Sequence, residues 1–273
     1  MYVRCCLTLW LFSGVACHGA DLQEIIRGGT ATIQSDWAAD PDYAYVETDE
    51  GQENGKPTSK TYQVVTIEGS DYDLPIAVDG EPLSADRKRA ELEKLRSEVQ
   101  RRKSESASAR RERIEAYKKK EDENGALLLD FPNAFTFELE REETMNGYPA
   151  YVLSATPRKR PGPLSRAAKV LSGMRGELWL DKEHFHVIRA QCNVVNTVPI
   201  YGILAQVMPG THVELGMTPV SESTWLIGDL SMTLKVSKFF LFRSMQVTRS
   251  TYSEYHPNAE VLEKLLQQAN DPL

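Results

Sequence analysis

The chain is poor in cysteine where cysteine would matter. Of its four, Cys5, Cys6 and Cys17 lie at the extreme N-terminus, leaving Cys192 alone in the rest. Once that end is removed no intrachain disulfide is possible, so the fold must be held by its apolar core. A chain of 273 residues with 41% hydrophobic content can bury such a core in one large domain or two small ones. Cys192 is flanked by Gln191, Asn193 and Val194, which supply neither a base nor positive charge, so it reads as a buried structural thiol. Long apolar runs are scarce as well. The one from Cys5 to Val15 falls short of the roughly 20 residues a bilayer span needs. With Arg4 before it and Gly14, Ala16, Gly19 and Ala20 in and after it, it reads as a signal peptide cleaved after Ala20. A lipobox ending at Cys17 ranks second because Gly14-Val15-Ala16 lacks the expected Leu, and an N-terminal core helix ranks third.

Catalytic signatures are missing too. There is no G-x-S-x-G elbow, P-loop or G-x-G-x-x-G, and paired acids such as Glu142-Glu143 look like surface residues. Histidine is sparse. His184 and His186 stand at i, i+2 beside a turn but have no third ligand at a fixed spacing, so an exposed turn is the better reading than a metal site. His212 and His256 have no evident partner. The expectation is a non-enzyme with no catalytic residue, no metal and no cofactor. Excess positive charge is also absent: 32 basic against 39 acidic residues leave a net charge of -7, which argues against a dedicated nucleic-acid binder.

What the chain does have is strand pattern. Met174 to Val195 reads as two strands joined by a tight turn at Asp181 to His184, with Leu180 opposite Phe185 and Leu178 opposite Val187. Cross-strand partners share a face, so these four make an apolar patch, with Glu177, Trp179 and His186 on the other side. Thr61–Glu68 and Pro75–Val78 are strands by β-branched content, with Asp79-Gly80 as a turn. Pro41 to Gly51, with Tyr43 and Tyr45 alternating, is a short strand, and Gly51 to Ser59 a loop. Phe135, Phe137 and Leu139 alternate with polar residues, and Asn146-Gly147 is the strongest hairpin turn. Strict alternation over Leu230 to Ser237 marks a half-buried strand, followed by the apolar run Phe239 to Phe242 and a strand from Met245 to Tyr255. Helices are expected at Asp21–Ala38, weakened at Gly28-Gly29, at Leu164–Leu171 and at Ala259–Gln268.

Ser84 is a good N-cap for a long helical stretch reaching about Tyr117, interrupted at Ser104–Ser108. Between Arg87 and Lys120 it holds 14 basic residues against six Glu. Such a stretch suits anionic head groups or an acidic partner, with Arg101, Arg102, Arg110 and Arg111 as contact candidates; the alternative is a solvated arm. The sum is α+β: a large, curved antiparallel sheet, or incomplete β-barrel, with covering helices and a charged helical insertion at about 84–124. The domain plan is a signal peptide at 1–20 and one domain at 21–273. A sheet with one oily face covered only partly leaves a hydrophobic cleft. Leu178, Leu180, Phe185, Val187, Leu230, Met232 and Leu234 are the candidates to line it, or else pack an ordinary core. Phe239, Phe240 and Phe242 are candidates for a membrane- or partner-touching tip, or for a strand buried on both faces.

Two stretches carry a family resemblance. Glu143 to Leu153 (ETMNGYPAYVL), followed by Gly176 to Asp181 (GELWLD), resembles the paired hairpins of the outer-membrane lipoprotein carrier superfamily, the LolA/LolB-like proteins. The helix at Asp21 and the later Trp225-Leu226 fit that pattern, although Ile227-Gly228 replaces the usual Pro and the basic insertion is longer than in the carriers. An equivalent of the carriers' cavity arginine is not found. The resemblance implies a half-barrel around a hydrophobic cavity that holds an acyl chain, another lipid or a lipoprotein in the periplasm; the basic helix and the Phe239 tip add a membrane surface or an envelope protein as further partner. The alternative is an envelope scaffold whose barrel is filled by its own side chains.

Overall fold

The computed structural model describes residues 21–53, 56–165, 167–199, 205–238 and 242–270. Residues 1–20, expected to be a signal peptide and carrying three of the cysteines, lie outside these residues, as do Phe239 and Phe240. Among the described residues no helix is long and apolar enough to cross a membrane.

The architecture is α+β around one antiparallel sheet. In chain order its strands are β1 (Tyr43–Glu53), β2 (Lys56–Ile67), β3 (Ser70–Val78), β4 (Glu81–Pro82), β5 (Phe135–Met145), β6 (Tyr148–Pro157), β7 (Met174–Asp181), β8 (Val187–Val194), β9 (Val198–Pro199), β10 (Ala205–Val207), β11 (His212–Pro219), β12 (Trp225–Lys238) and β13 (Phe242–Pro257). The spatial order β4-β3-β2-β1-β13-β12-β11-β8-β7-β6-β5 leaves the 13-stranded sheet open, with β9 and β10 paired beside β12. The helices are α1 (Leu22–Ala39), α2 (Ala85–Lys103), α3 (Ala107–Leu129), α4 (Phe131–Ala134) and α5 (Asn258–Asn270).

Asn146-Gly147 turns β5 into β6 with both residues at positive φ, as a type I′ turn demands. Asp79-Gly80 does the same between β3 and β4. The expected loop at Gly51–Ser59 is instead strand on both sides, because β1 runs to Glu53 and β2 starts at Lys56 with the two residues paired. The basic stretch forms two helices, each started by a serine: Ser84 accepts from the Arg87 amide and Ser106 from the Ala109 amide. The expected helix at Leu164–Leu171 is a 3-10 segment, Ala167–Gly173.

Two further expectations need correcting. Gly28-Gly29 does not break α1, which runs unbroken through them. A Cβ at Gly28 would collide with the Phe185 ring, and one at Gly29 would press the Leu180 methyls at 3.1 Å. The pair therefore exists to let the helix lie close on the sheet. The β7–β8 register also differs: Leu180 pairs with Val187 and Leu178 with Ala190, across a bulge beside Trp179. The turn is longer than the expected tight turn at Asp181 to His184 because Asp181 organises it. Its carboxylate accepts from the amides of Glu183, His184 and His186, and Phe185 sits at φ 64.

Two apolar clusters flank the sheet. Under α1 and α4, the strands β5 to β8 bury Ile25, Phe135, Leu153, Leu178, Leu180 and Val187 among others. On β1, Ala44 joins the second cluster, with Val65, Ile67 and Leu74 packed under Leu92, Leu95 and Val99 of α2 and the apolar residues of α5. Its neighbour Tyr45 points to the opposite face, as strand alternation requires.

Candidate functional site

Where the curved face is not filled by α1 and α4, it bounds a cavity of about 1280 Å³. The sheet supplies an apolar wall from Ala190 and Cys192 on β8, Val213, Leu215 and Met217 on β11, and Leu230, Met232 and Leu234 on β12. The period of two puts each set on one face, and pairs such as Leu215–Leu230 and Val213–Met232 make the wall continuous. Ile33 and Trp37 of α1, Asp40 immediately after it and the C-terminal half of α3 lie over it.

The β1–β13 end differs in chemistry. There the lining comprises Asp40, Tyr45, Glu47, Asp71, Asp73, Tyr252 and Tyr255, with Tyr117, Lys119, Lys120 and Glu121 from α3. A bulge builds this end. Ala44 pairs with His256 but Val46 with Ser253, so Glu254 and Tyr255 together oppose Tyr45, with Glu254 at φ 53. Three positions apart on a regular strand, Tyr252 and Tyr255 would face opposite sides; the extra residue turns both into the cavity. Their rings pack against Tyr45 with centroids 5.8 and 5.3 Å away. The Tyr255 hydroxyl donates to the Ile227 carbonyl at 2.7 Å, and the Tyr252 hydroxyl is bonded to Glu47.

Burial dominates the electrostatics. Asp40 is pushed up to about 7, first by desolvation and then by the Asp71 and Glu121 charges. Glu47 also rises to about 7, through desolvation and Asp49, opposed by the Tyr252 hydroxyl, with Asp73 and Asp71 adding to the rise. Asp71 is raised by desolvation even though the Tyr117 and Thr66 hydroxyls donate to it and Lys120 opposes the rise. All four tyrosines are shifted upward, again mainly by burial. Among the described residues, no three His, Cys, Asp or Glu converge so as to hold a metal ion.

The seven candidates for the cleft divide in two. Leu230, Met232 and Leu234 line the large cavity. Leu178 and Leu180 lie under α1, beside a pocket of only about 20 Å³, while Val187 is buried in the same cluster and Phe185 packs on Gly28 and stacks near Tyr151. Cys192 is buried in the cavity wall, which pushes its thiol up to about 12. Of the arginines, Arg101 is exposed and bonded to Glu98 and Glu105. Arg110 pairs with Glu68, and Arg111 is exposed. Arg102 is buried and donates to the Ile67, Ser70 and Asp71 carbonyls. Phe242 begins β13, and His184 is exposed at its turn.

His186 departs from the exposed-turn reading. It is buried, stacks on Trp225 at 5.6 Å and bonds through Nδ1 to Asp36, whose other oxygen accepts from the Trp225 amide at 3.1 Å. This ties α1 to both β12 and the β7–β8 turn. The residues that sequence reasoning missed are Asp36 and the acidic and tyrosine end. The alternation of Tyr43, Tyr45 and Glu47 was the one signal for the latter.

Among solved structures, the chain is similar to a LolA superfamily protein from Nitrosomonas europaea, at 11% identity and a TM-score of 0.34 over 86% of this chain and 93% of that one. It is also similar to a putative outer membrane lipoprotein-sorting protein domain from Vibrio parahaemolyticus, at 14% identity and 0.33 over 87% and 99%. A DUF1329 family protein from Desulfovibrio piger gives 13% and 0.31 over 85% and 93%. No family model and no curated protein matches the chain.

Proposed function

We propose that the chain is a non-enzymatic binder or carrier that buries the tail of a lipid or acylated protein in the half-barrel cavity, acting in the periplasm after removal of residues 1–20. The observation that carries this reading is the unfilled apolar wall. Val213, Leu215, Leu230, Met232 and Leu234 face about 1280 Å³ of space rather than each other's partners across a packed core. Ordinary small-molecule sites occupy about 300–1,000 Å³, so the volume suits a long apolar guest. A buried methylene contributes about 0.8 kcal/mol, so an alkyl chain needs little directional chemistry to be held. A scaffold filled by its own side chains would have this wall packed against side chains from the opposite side of the barrel.

Native mass spectrometry of the protein expressed from its full-length sequence in a bacterial periplasm, followed by organic extraction, tests the proposal. A stoichiometric co-purifying lipid is expected, and it should be lost in a folded Met232→Glu variant. Met232 suits this purpose because it is only half-buried and lines the cavity, whereas Leu180 is packed under α1. A clean apo mass together with no uptake of a fluorescent fatty acid would overturn the proposal in favour of the scaffold.

A further inference from the structure

The cavity has two chemistries, and the second one narrows the guest. Its apolar wall runs into an end built from Asp40, Glu47, Asp71 and Asp73 around the packed rings of Tyr45, Tyr252 and Tyr255. From α3 the same end receives Glu121, Asp122 and Glu123 together with Lys119 and Lys120, so carboxylates outnumber cations there. We infer that the guest is an amphiphile whose head carries a cationic nitrogen, held between the tyrosine rings and the carboxylates while its tail lies along β11 and β12. This inference rests on the binding function proposed above and names the ligand class of that same cavity.

Three features point the same way. Aromatic rings attract a cation through their faces, and they do so more strongly where water is excluded. The carboxylates lie within one another's fields in a partly desolvated site, so a positive head group relieves their repulsion, whereas a sulfate or phosphate would add to it. The raised proton affinities of Asp40 and Glu47 record burial first and that repulsion second. The tyrosine arrangement is also constructed rather than incidental, because it takes a bulge with Glu254 at positive φ to bring Tyr252 and Tyr255 to one face. A metal ion is a poorer occupant: among the described residues the acids do not converge on one point. An ammonium head, broad and weakly directional, does not require that they should.

The test compares amphiphiles sharing a dodecyl tail, each below its micellar concentration, as competitors of N-phenyl-1-naphthylamine bound to the full chain. Near-UV circular dichroism confirms that the protein stays folded. At pH 8, dodecyltrimethylammonium should bind at least about tenfold more tightly than dodecyl sulfate, with dodecyl maltoside between them. Because the trimethylammonium charge is fixed, the preference should shrink toward pH 5.5 as Asp40 and Glu47 take up protons. Glu47→Gln and, independently, the exposed Asp73→Asn should each bring the ratio toward one. A lauroyl lysophosphatidylethanolamine arm separates the sources. Binding comparable to the simple ammonium identifies a phospholipid head group, and much weaker binding identifies a free alkylamine. Equal binding of all three dodecyl heads, or a preference for sulfate, overturns the head-group inference and leaves the binding function standing. No uptake of the naphthylamine by folded protein overturns both.

Discussion

At the scale of single residues, identical side chains one position apart have different roles. Arg101 is exposed and forms ion pairs on the helix surface with Glu98 and Glu105. Arg102 is 7% exposed and donates to Glu98, to the Ser70 hydroxyl and to three backbone carbonyls at the β2–β3 turn. Arg101→Ala should cost at most about 1 kcal/mol, the usual worth of an exposed pair. Arg102→Ala should cost about 3–5 kcal/mol in urea unfolding, because it strands buried acceptors, and a lysine there should not restore the loss since its point charge cannot serve the fork of partners. Equal midpoints for the two alanine variants would refute the assignment. Nothing in the string of charges from Arg87 to Lys120 distinguishes the two, and only the fold shows which one turns inward. Glu47 supplies a pH signature. Its folded-state proton affinity is raised to about 7 by burial and by Asp49, Asp73 and Asp71. Near pH 4 both the folded and unfolded chains hold the proton, and its contribution is intact. As pH climbs toward 7 the unfolded chain sheds a proton that the folded chain keeps, so stability falls. Glu98, held at about 2 chiefly by Arg101 and also by Arg102, acts below that window and with opposite sign. Glu47→Gln, which mimics the protonated acid, should therefore gain in Tm relative to the unaltered protein between pH 4.5 and pH 8. A difference that is flat with pH would contradict the electrostatic account.

At the scale of elements, α1 is the piece on which site and core both depend. It packs on β5–β8 through Ile25, Ile33 and its two glycines, and Asp36 fixes its C-terminal half to His186 and Trp225. Helix propensity alone says that Gly28→Ala should stabilise by up to about 1 kcal/mol. The contact with Phe185 says the reverse: a methyl there overlaps the ring, and overpacking costs about 1–3 kcal/mol. The expected result is a net loss in thermal unfolding, and a double-mutant cycle with Phe185→Ala should return most of it. A simple gain from Gly28→Ala would mean that the ring yields freely. The register of the β7–β8 hairpin departs from the expected one for a different reason. Alternation identified β7 and β8 and their apolar residues, but strand pattern carries no record of the Asp181 carboxylate gathering three amides. That cap lengthens the turn and moves the partner of Leu180 from Phe185 to Val187.

At the scale of the whole molecule, the curved sheet, its antiparallel order and the basic helices were legible because each is a local pattern repeated along the chain. The cavity was half-legible. Leu230, Met232 and Leu234 announce an oily face, but whether helices fill that face depends on where α1 and α3 lie. Its acidic end joins the turn after α1, β1, β3, α3 and β13, segments more than 200 residues apart at the extremes, and is visible only when folded. The sheet also bears on how many units the chain comprises. The cluster under α2 and α5 and the cluster under α1 lie at different ends of it, yet β1 presents Ala44 to the former and Tyr45 to the cavity. Damage to one should then be felt by the other. Leu95 is fully buried in the α2 cluster, whereas Trp37, Trp179 and Trp225 all sit on the α1 side. Leu95→Ala should cost about 2–5 kcal/mol. If 21–273 is one cooperative domain, tryptophan fluorescence must report that loss at the same urea midpoint as far-UV circular dichroism. A fluorescence midpoint left unmoved while the dichroism midpoint falls would divide the chain into two independently folding halves. The cavity, walled by both, would then open without either half unfolding completely.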